Sequence, residues 1–209
     1  MRFEEAGWCC LMLTNSKARG NLTTAAAFDP GYKHPARDQR KPGRAATASS
    51  GFQGRPVTRL SCGLLVAFAR LIGVRVSGAE HIRAAHDPFI FALNHTHKLE
   101  ALLVPALLAW ERGGRQVHFL VDWNVLLVPG LASLIRLNEP IVVNRKPARP
   151  AWLNVFRSRL APATSPYAAA RERLRQGRSI GIYPEGTRSR DPGRLLRGLK
   201  GAARLSMET

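Results

Sequence analysis

The first sustained hydrophobic pattern begins near Val57. Leu60, Leu64, Leu65, Phe68, Leu71 and Ile72 recur at helical spacing with Arg59 and Arg70 at the flanks, which predicts an amphipathic helix. Too short to span a bilayer, this helix suits either a packed core or an interfacial position. From Gly73 the pattern alternates between short apolar runs and longer periodic ones. Strands are expected at Val74–Val76, Pro88–Leu93, Val117–Val121, Ile141–Val143 and Ser179–Tyr183. Between them, Leu99–Trp110 reads as a helix that Pro105 is expected to kink. Val125–Leu137 reads as a helical stretch broken by Pro129-Gly130, and Tyr167–Gln176 as a helix stopped by Gly177. Strands alternating with helices predict an α/β domain with a mostly parallel sheet flanked by helices. Ligands of such sheets bind beyond the carboxyl ends of the strands.

Residues 14–56 lack this periodicity and are rich in Gly, Ala, Ser, Thr, Pro and Arg. The chain therefore divides into a flexible basic tail over residues 1–56 and a folded domain over 57–209. Met1–Leu13 lack the basic and apolar regions of a secretory signal, and Glu4 and Glu5 oppose a mitochondrial presequence.

Composition sharpens the picture in two ways. Apolar residues make up 45% of the 209, enough for a core, and no apolar run approaches the ~18 residues of a transmembrane helix. The three cysteines form no CxxC pair, in keeping with a reducing compartment. The formal net charge of +18 implies an acidic partner: nucleic acid, an anionic membrane or phosphorylated ligands. More than half of that charge lies in residues 146–209, where fourteen basic residues face four acidic ones.

Three polar clusters follow strands. Asn94-His95-Thr96-His97-Lys98-Leu99-Glu100 stands at a strand-to-helix junction. A carboxylate in the first helical turn can fold back on a strand-end histidine, fix its tautomer and raise its basicity, as a general base for an alcohol requires. The same residues admit two other readings, plain helix-capping polar groups or a metal site built from His95, His97 and Glu100; Lys98 opposes a cation. Pro140-Ile141-Val142-Val143-Asn144-Arg145-Lys146 delivers two cations to a strand end. Ile182-Tyr183-Pro184-Glu185-Gly186-Thr187-Arg188-Ser189-Arg190 offers a glycine for close approach, hydroxyls, and guanidinium forks suited to phosphate.

In this order the clusters resemble the glycerophospholipid acyltransferase superfamily, most closely the 1-acylglycerol-3-phosphate acyltransferases. That family carries an Asn-His-x4-Asp block, a strand ending in arginine, and a Pro-Glu-Gly-Thr-Arg block. Residues 94–100, Arg145 and residues 184–188 are similar to them, and the resemblance extends over residues 57–209. It implies that His95 is the general base and Glu100 its orienting carboxylate. Arg145, Glu185, Gly186, Thr187 and Arg188 would hold the glycerol phosphate of the acceptor. The implied donor is acyl-CoA or acyl carrier protein, with no metal or other cofactor. The implied acceptor is a lysophospholipid at the cytoplasmic face of an anionic membrane, reached peripherally.

Two departures stand out. Glu100 replaces the usual Asp, and no apolar strand with the Val-Pro pair of the family's fourth block follows the third. A sheet short of one strand and a truncated, non-catalytic homologue are the expectations that attach to the second departure. A metal-dependent hydrolase using His95, His97 and Glu100 and a basic nucleic-acid-binding protein are the competing classes. The latter is disfavoured because the arginines lack aromatic interleaving and no known nucleic-acid-binding signature is present.

Overall fold

The computed structural model describes residues 12–15, 52, 55–189 and 196–209. A helix, α1 (Pro56–Leu71), opens the long described stretch, with proline in its first turn, where the missing N–H costs nothing. Strand β2 (Val74–Ser77) pairs antiparallel with β1 (Met12–Asn15), and the two form a separate small sheet. Four residues of the stretch expected to be tail thus have a strand partner: backbone hydrogen bonding to an edge needs no apolar periodicity, so the composition gave no sign of it.

The main sheet contains β3 (Ile90–Ala92), β4 (His118–Asp122), β5 (Ile141–Val143) and β6 (Ile180–Ile182). Their order is β3-β6-β4-β5 and every pairing is parallel. Helices α2 (Glu100–Glu111), α3 (Leu131–Arg136), α4 (Arg157–Leu160), α5 (Pro166–Arg175) and α6 (Gly201–Glu208) complete the domain. The expected helical stretch over 125–137 divides at Pro129-Gly130 into a 3-10 segment, Trp123–Leu127, and α3. Gly177, at φ +73°, ends α5 with Arg178 N–H donating to Arg173 O at 2.9 Å.

Strand residues alternate between two apolar layers. Phe91, Val117 and Phe119 pack with Val66, Leu103, Leu107 and Leu108 of α1 and α2. Ile141, Ile180 and Ile182 pack with Ala170, Leu174, Ala202 and Leu205 of α5 and α6. A sheet buried on both faces is why its strands read as continuous apolar runs. Gly181 is required by this packing: the Phe119 ring occupies the space a Cβ would take.

A buried ionic network ties the amino ends of the strands. The Asp87 carboxylate accepts from Arg112 Nη2 at 2.6 Å and Arg115 Nε at 2.9 Å, and also from the Ser179 hydroxyl. Arg112 Nη1 donates to Ile82 O at 2.7 Å, and its guanidinium lies 4.8 Å over the Phe89 ring. Ser179 Oγ accepts from Phe89 N–H at 3.1 Å, so the network locks β3 to β6. It leaves the carboxyl ends, where the polar clusters lie, free for chemistry.

Candidate active site

All four parallel strands end on one edge, so the loops after Ala92, Asp122, Val143 and Ile182 converge. Leu93 N–H continues the ladder to Ile182 O at 3.0 Å, and the chain then turns through Asn94 and His95 into α2.

Glu100 is the first residue of α2 and is buried. Its Oε2 lies 2.8 Å from His95 Nδ1 and accepts from Thr96 N–H at 2.9 Å. Its Oε1 accepts from the Thr96 hydroxyl at 2.6 Å. Burial pushes the Glu100 carboxyl pKa up, but the hydrogen bonds from His95 and Thr96 outweigh it and hold the pKa below the ordinary value. An ionised Glu100 accepts from Nδ1–H, which leaves Nε2 as the basic nitrogen of a neutral imidazole. The longer glutamate therefore does reach the imidazole, and Thr96 fixes where its carboxylate sits.

The ring of Tyr183, just beyond β6, lies 4.5 Å from the His95 ring between centroids, and Phe119 backs Tyr183 at 5.8 Å. Burial, with the Glu100 charge adding to it, pushes the Tyr183 phenol well above its usual range. This residue is a neutral wall against one face of the imidazole. Ser189 N–H donates to His95 O at 2.7 Å, a second tie between the histidine loop and the β6 loop. The His95 side chain keeps 20% exposure, so the ring is held yet reachable.

The β5 and β6 loops are joined as well. Gly186 sits at φ +60°, and an added Cβ would collide with Nη1 of Arg145. Lys146 Nζ donates to Gly186 O at 3.3 Å. The Lys146 carbonyl in turn accepts from Trp123 Nε1 at 2.8 Å and Asn124 Nδ2 at 3.3 Å, both from the loop after β4. Glu185 Oε1 accepts from Leu196 N–H at 3.3 Å, while its Oε2 is buried without a hydrogen-bond partner. Thr187 and Arg188 follow and are exposed; Arg190 lies outside the described residues.

The family model with the description Acyltransferase matches residues 73–209, two thirds of the chain. The chain belongs to the Acyltransferase family. Comparison with curated proteins returns no match. The family match supports membership of the glycerophospholipid acyltransferase superfamily and acyl transfer as its chemistry.

In this acyltransferase the sequence-predicted residues assemble as two linked groups. His95 and Glu100 are in direct contact, and Arg145 meets Gly186. His97, the third member of the metal reading, turns elsewhere: its Nδ1 accepts from Leu99 N–H at 3.2 Å on an exposed turn. Among the described residues no group of three His, Cys, Asp or Glu side chains is placed to hold a metal ion. Sequence reasoning missed the roles of Thr96, Tyr183, Trp123 and Asn124. Only Thr96 carried a usable signal, a hydroxyl four residues before a carboxylate at a helix start.

Proposed function

We propose that this acyltransferase moves a fatty acyl group from acyl-CoA or acyl carrier protein to the free hydroxyl of a lysophosphatidate-like acceptor, a step of phospholipid synthesis at the cytoplasmic face of a membrane. The observation that carries this reading is the 2.8 Å contact between His95 Nδ1 and Glu100 Oε2, with the basic β5 and β6 loops tied to the same site.

In the proposed reaction His95 Nε2 takes the proton of the acceptor hydroxyl as its oxygen attacks the thioester carbonyl carbon. The carbon–sulfur bond then breaks, and the imidazolium returns the proton to the leaving thiolate. Glu100 stays ionised and stabilises the imidazolium. Arg145, Lys146 and Arg188 offer cations for the acceptor phosphate, and Gly186 lets the backbone approach it. The unpartnered Glu185 Oε2 leaves one acceptor beside these cations for a donor group of the bound substrate. Neutral imidazole and fixed cations serve the same substrate: one end must lose a proton while the other carries charge.

Peripheral membrane binding is supported by α1. Val57, Leu60, Leu64 and Leu71 are 64–74% exposed on one side of the helix, while Thr58, Cys62, Val66 and Ala69 are buried on the other. Among the described residues no helix is long and apolar enough to cross a membrane.

The test is acyl transfer from a thioester donor to lysophosphatidate by the purified chain and by His95→Ala. The expected loss in His95→Ala is at least 10²-fold. Undiminished turnover in that variant would sink the mechanism.

A further inference from the structure

Between β5 and α5 the chain makes a structured excursion, residues 144–165, that the proposed chemistry uses only at its base. It carries five basic residues and no acidic one. The excursion is held firmly. Asn154 Oδ1 accepts from Ala148 N–H at 2.9 Å, and its Nδ2 donates to Ala151 O at 2.7 Å. Arg157 Nε donates to Asn144 Oδ1 at 2.5 Å, and Leu160 packs on the Leu126–Ile135 cluster.

A segment this well tethered has the means to turn its large apolar groups inward, yet it does the reverse. Along the 3-10 segment Ala151–Phe156, Trp152 is 67% and Val155 71% exposed, and Phe156 is exposed beside them. An apolar groove of about 670 Å³ lies beside the segment, lined by Leu153, Val128 and Pro129 among others, and Val128 is itself exposed. Arg149 and Arg159 are exposed at the two flanks, and the lower end of the excursion is Arg145 and Lys146. Exposed Trp and Phe flanked along the chain by arginine are suited to the boundary between lipid headgroups and acyl chains. An acidic protein surface would match the arginines but would leave the Trp-Val-Phe edge without a reason.

We propose that residues 149–159 are a membrane-inserting wedge: Trp152, Val155 and Phe156 enter an anionic bilayer while Arg149 and Arg159 pair with lipid phosphates. Because the wedge and Arg145 share one tethered loop, docking sets the phosphate-binding cations at headgroup level. A lipid acceptor then meets Arg145 without leaving the bilayer. This extends the proposed function to a second lipid contact, separate from α1.

The wedge is tested on the full chain with vesicles of phosphatidylcholine alone and of phosphatidylcholine with one quarter phosphatidylglycerol. Tryptophan emission should shift to the blue and be quenched by acyl-chain-brominated lipid, and Trp152→Phe should remove the greater part of that quenching. Trp152→Ser/Val155→Ser should weaken partition to the anionic vesicles roughly tenfold or more. Transfer to a vesicle-borne acceptor should fall with it, and transfer to a short-chain acceptor in solution should stay unchanged. An unchanged thermal midpoint shows that the double variant folds. Quenching as strong in Trp152→Phe as in the wild type, or wild-type partition by the double variant, overturns the wedge. Weakened binding of acyl carrier protein with unchanged vesicle binding also overturns it, in favour of a protein partner. Failure of the wild type to acylate any soluble lysophosphatidate overturns the proposed function instead, and the vesicle measurements still decide the wedge.

Discussion

The guanidinium of Arg145 lies against the backbone of Gly186, where any Cβ would displace it. Two loops from non-adjacent strands, β5 and β6, thereby build one cationic surface. Gly186→Ala should disturb both the loop and the arginine. The φ of +60° costs a Cβ-bearing residue about 1–2 kcal/mol, read by urea unfolding. The acceptor KM should rise more than kcat falls, since His95 keeps its partners. An unchanged acceptor KM would separate Arg145 from phosphate binding.

Glu100 links activity to acid stability. Its pKa is lower in the folded chain than unfolded, so its ionisation favours folding above the unfolded value of about 4.3. That contribution is lost as pH falls from there through the folded pKa. Glu100→Gln should flatten the acid limb of stability below about pH 5, followed by chemical denaturation at several pH values. Superimposable acid limbs would mean that the carboxylate is not held as described.

Thr96 is a positioning residue. Thr96→Val keeps the shape and the backbone N–H but removes the hydroxyl that donates to Glu100 Oε1 at 2.6 Å. A hydrogen bond to a charged group contributes about 1.5–3 kcal/mol, so kcat should fall about tenfold or more. The acid limb of the stability profile should also move to higher pH, whereas Thr96→Ser should restore both.

Tyr183 separates ring from hydroxyl. The hydroxyl is buried without a hydrogen-bond partner, so Tyr183→Phe should be neutral or slightly stabilising in thermal melts and should retain turnover. Tyr183→Ala removes the face that packs on His95 at 4.5 Å and leaves a cavity. A loss of about 3–5 kcal/mol is expected, with a drop in kcat.

Asp87 and Arg112 test the division of labour between the two ends of the sheet. Their side chains are 6% and 1% exposed. Asp87→Ala strands a buried guanidinium and should cost about 3–5 kcal/mol by denaturant titration. Substrate KM values, measured well below the melting temperature, should hold.

Much of this was legible in the sequence, for local reasons. Ile141–Val143 was readable as a strand and Pro166–Arg175 nearly so, because apolar runs and a capping glycine are properties of neighbouring residues. The 3-10 segment Ala151–Phe156 was not, because its aromatic residues are exposed and follow neither helical nor strand burial. Strand β1 escaped notice because its partner, β2, lies some sixty residues away and pairs through backbone groups that every residue carries.

The α/β class, the polar loops at the strand ends and the His95–Glu100 pair follow from local sequence, since five residues of chain suffice to fold the carboxylate back on the ring. The order β3-β6-β4-β5 emerges in the folded chain alone. That order sets Tyr183 against His95 and carries Arg145 to Gly186. The physical reason is that parallel pairing is made by backbone groups of distant segments, and their register is selected by side-chain packing on both faces of the sheet. Periodicity tells each strand that it is buried; the packed layers alone tell it beside which strand.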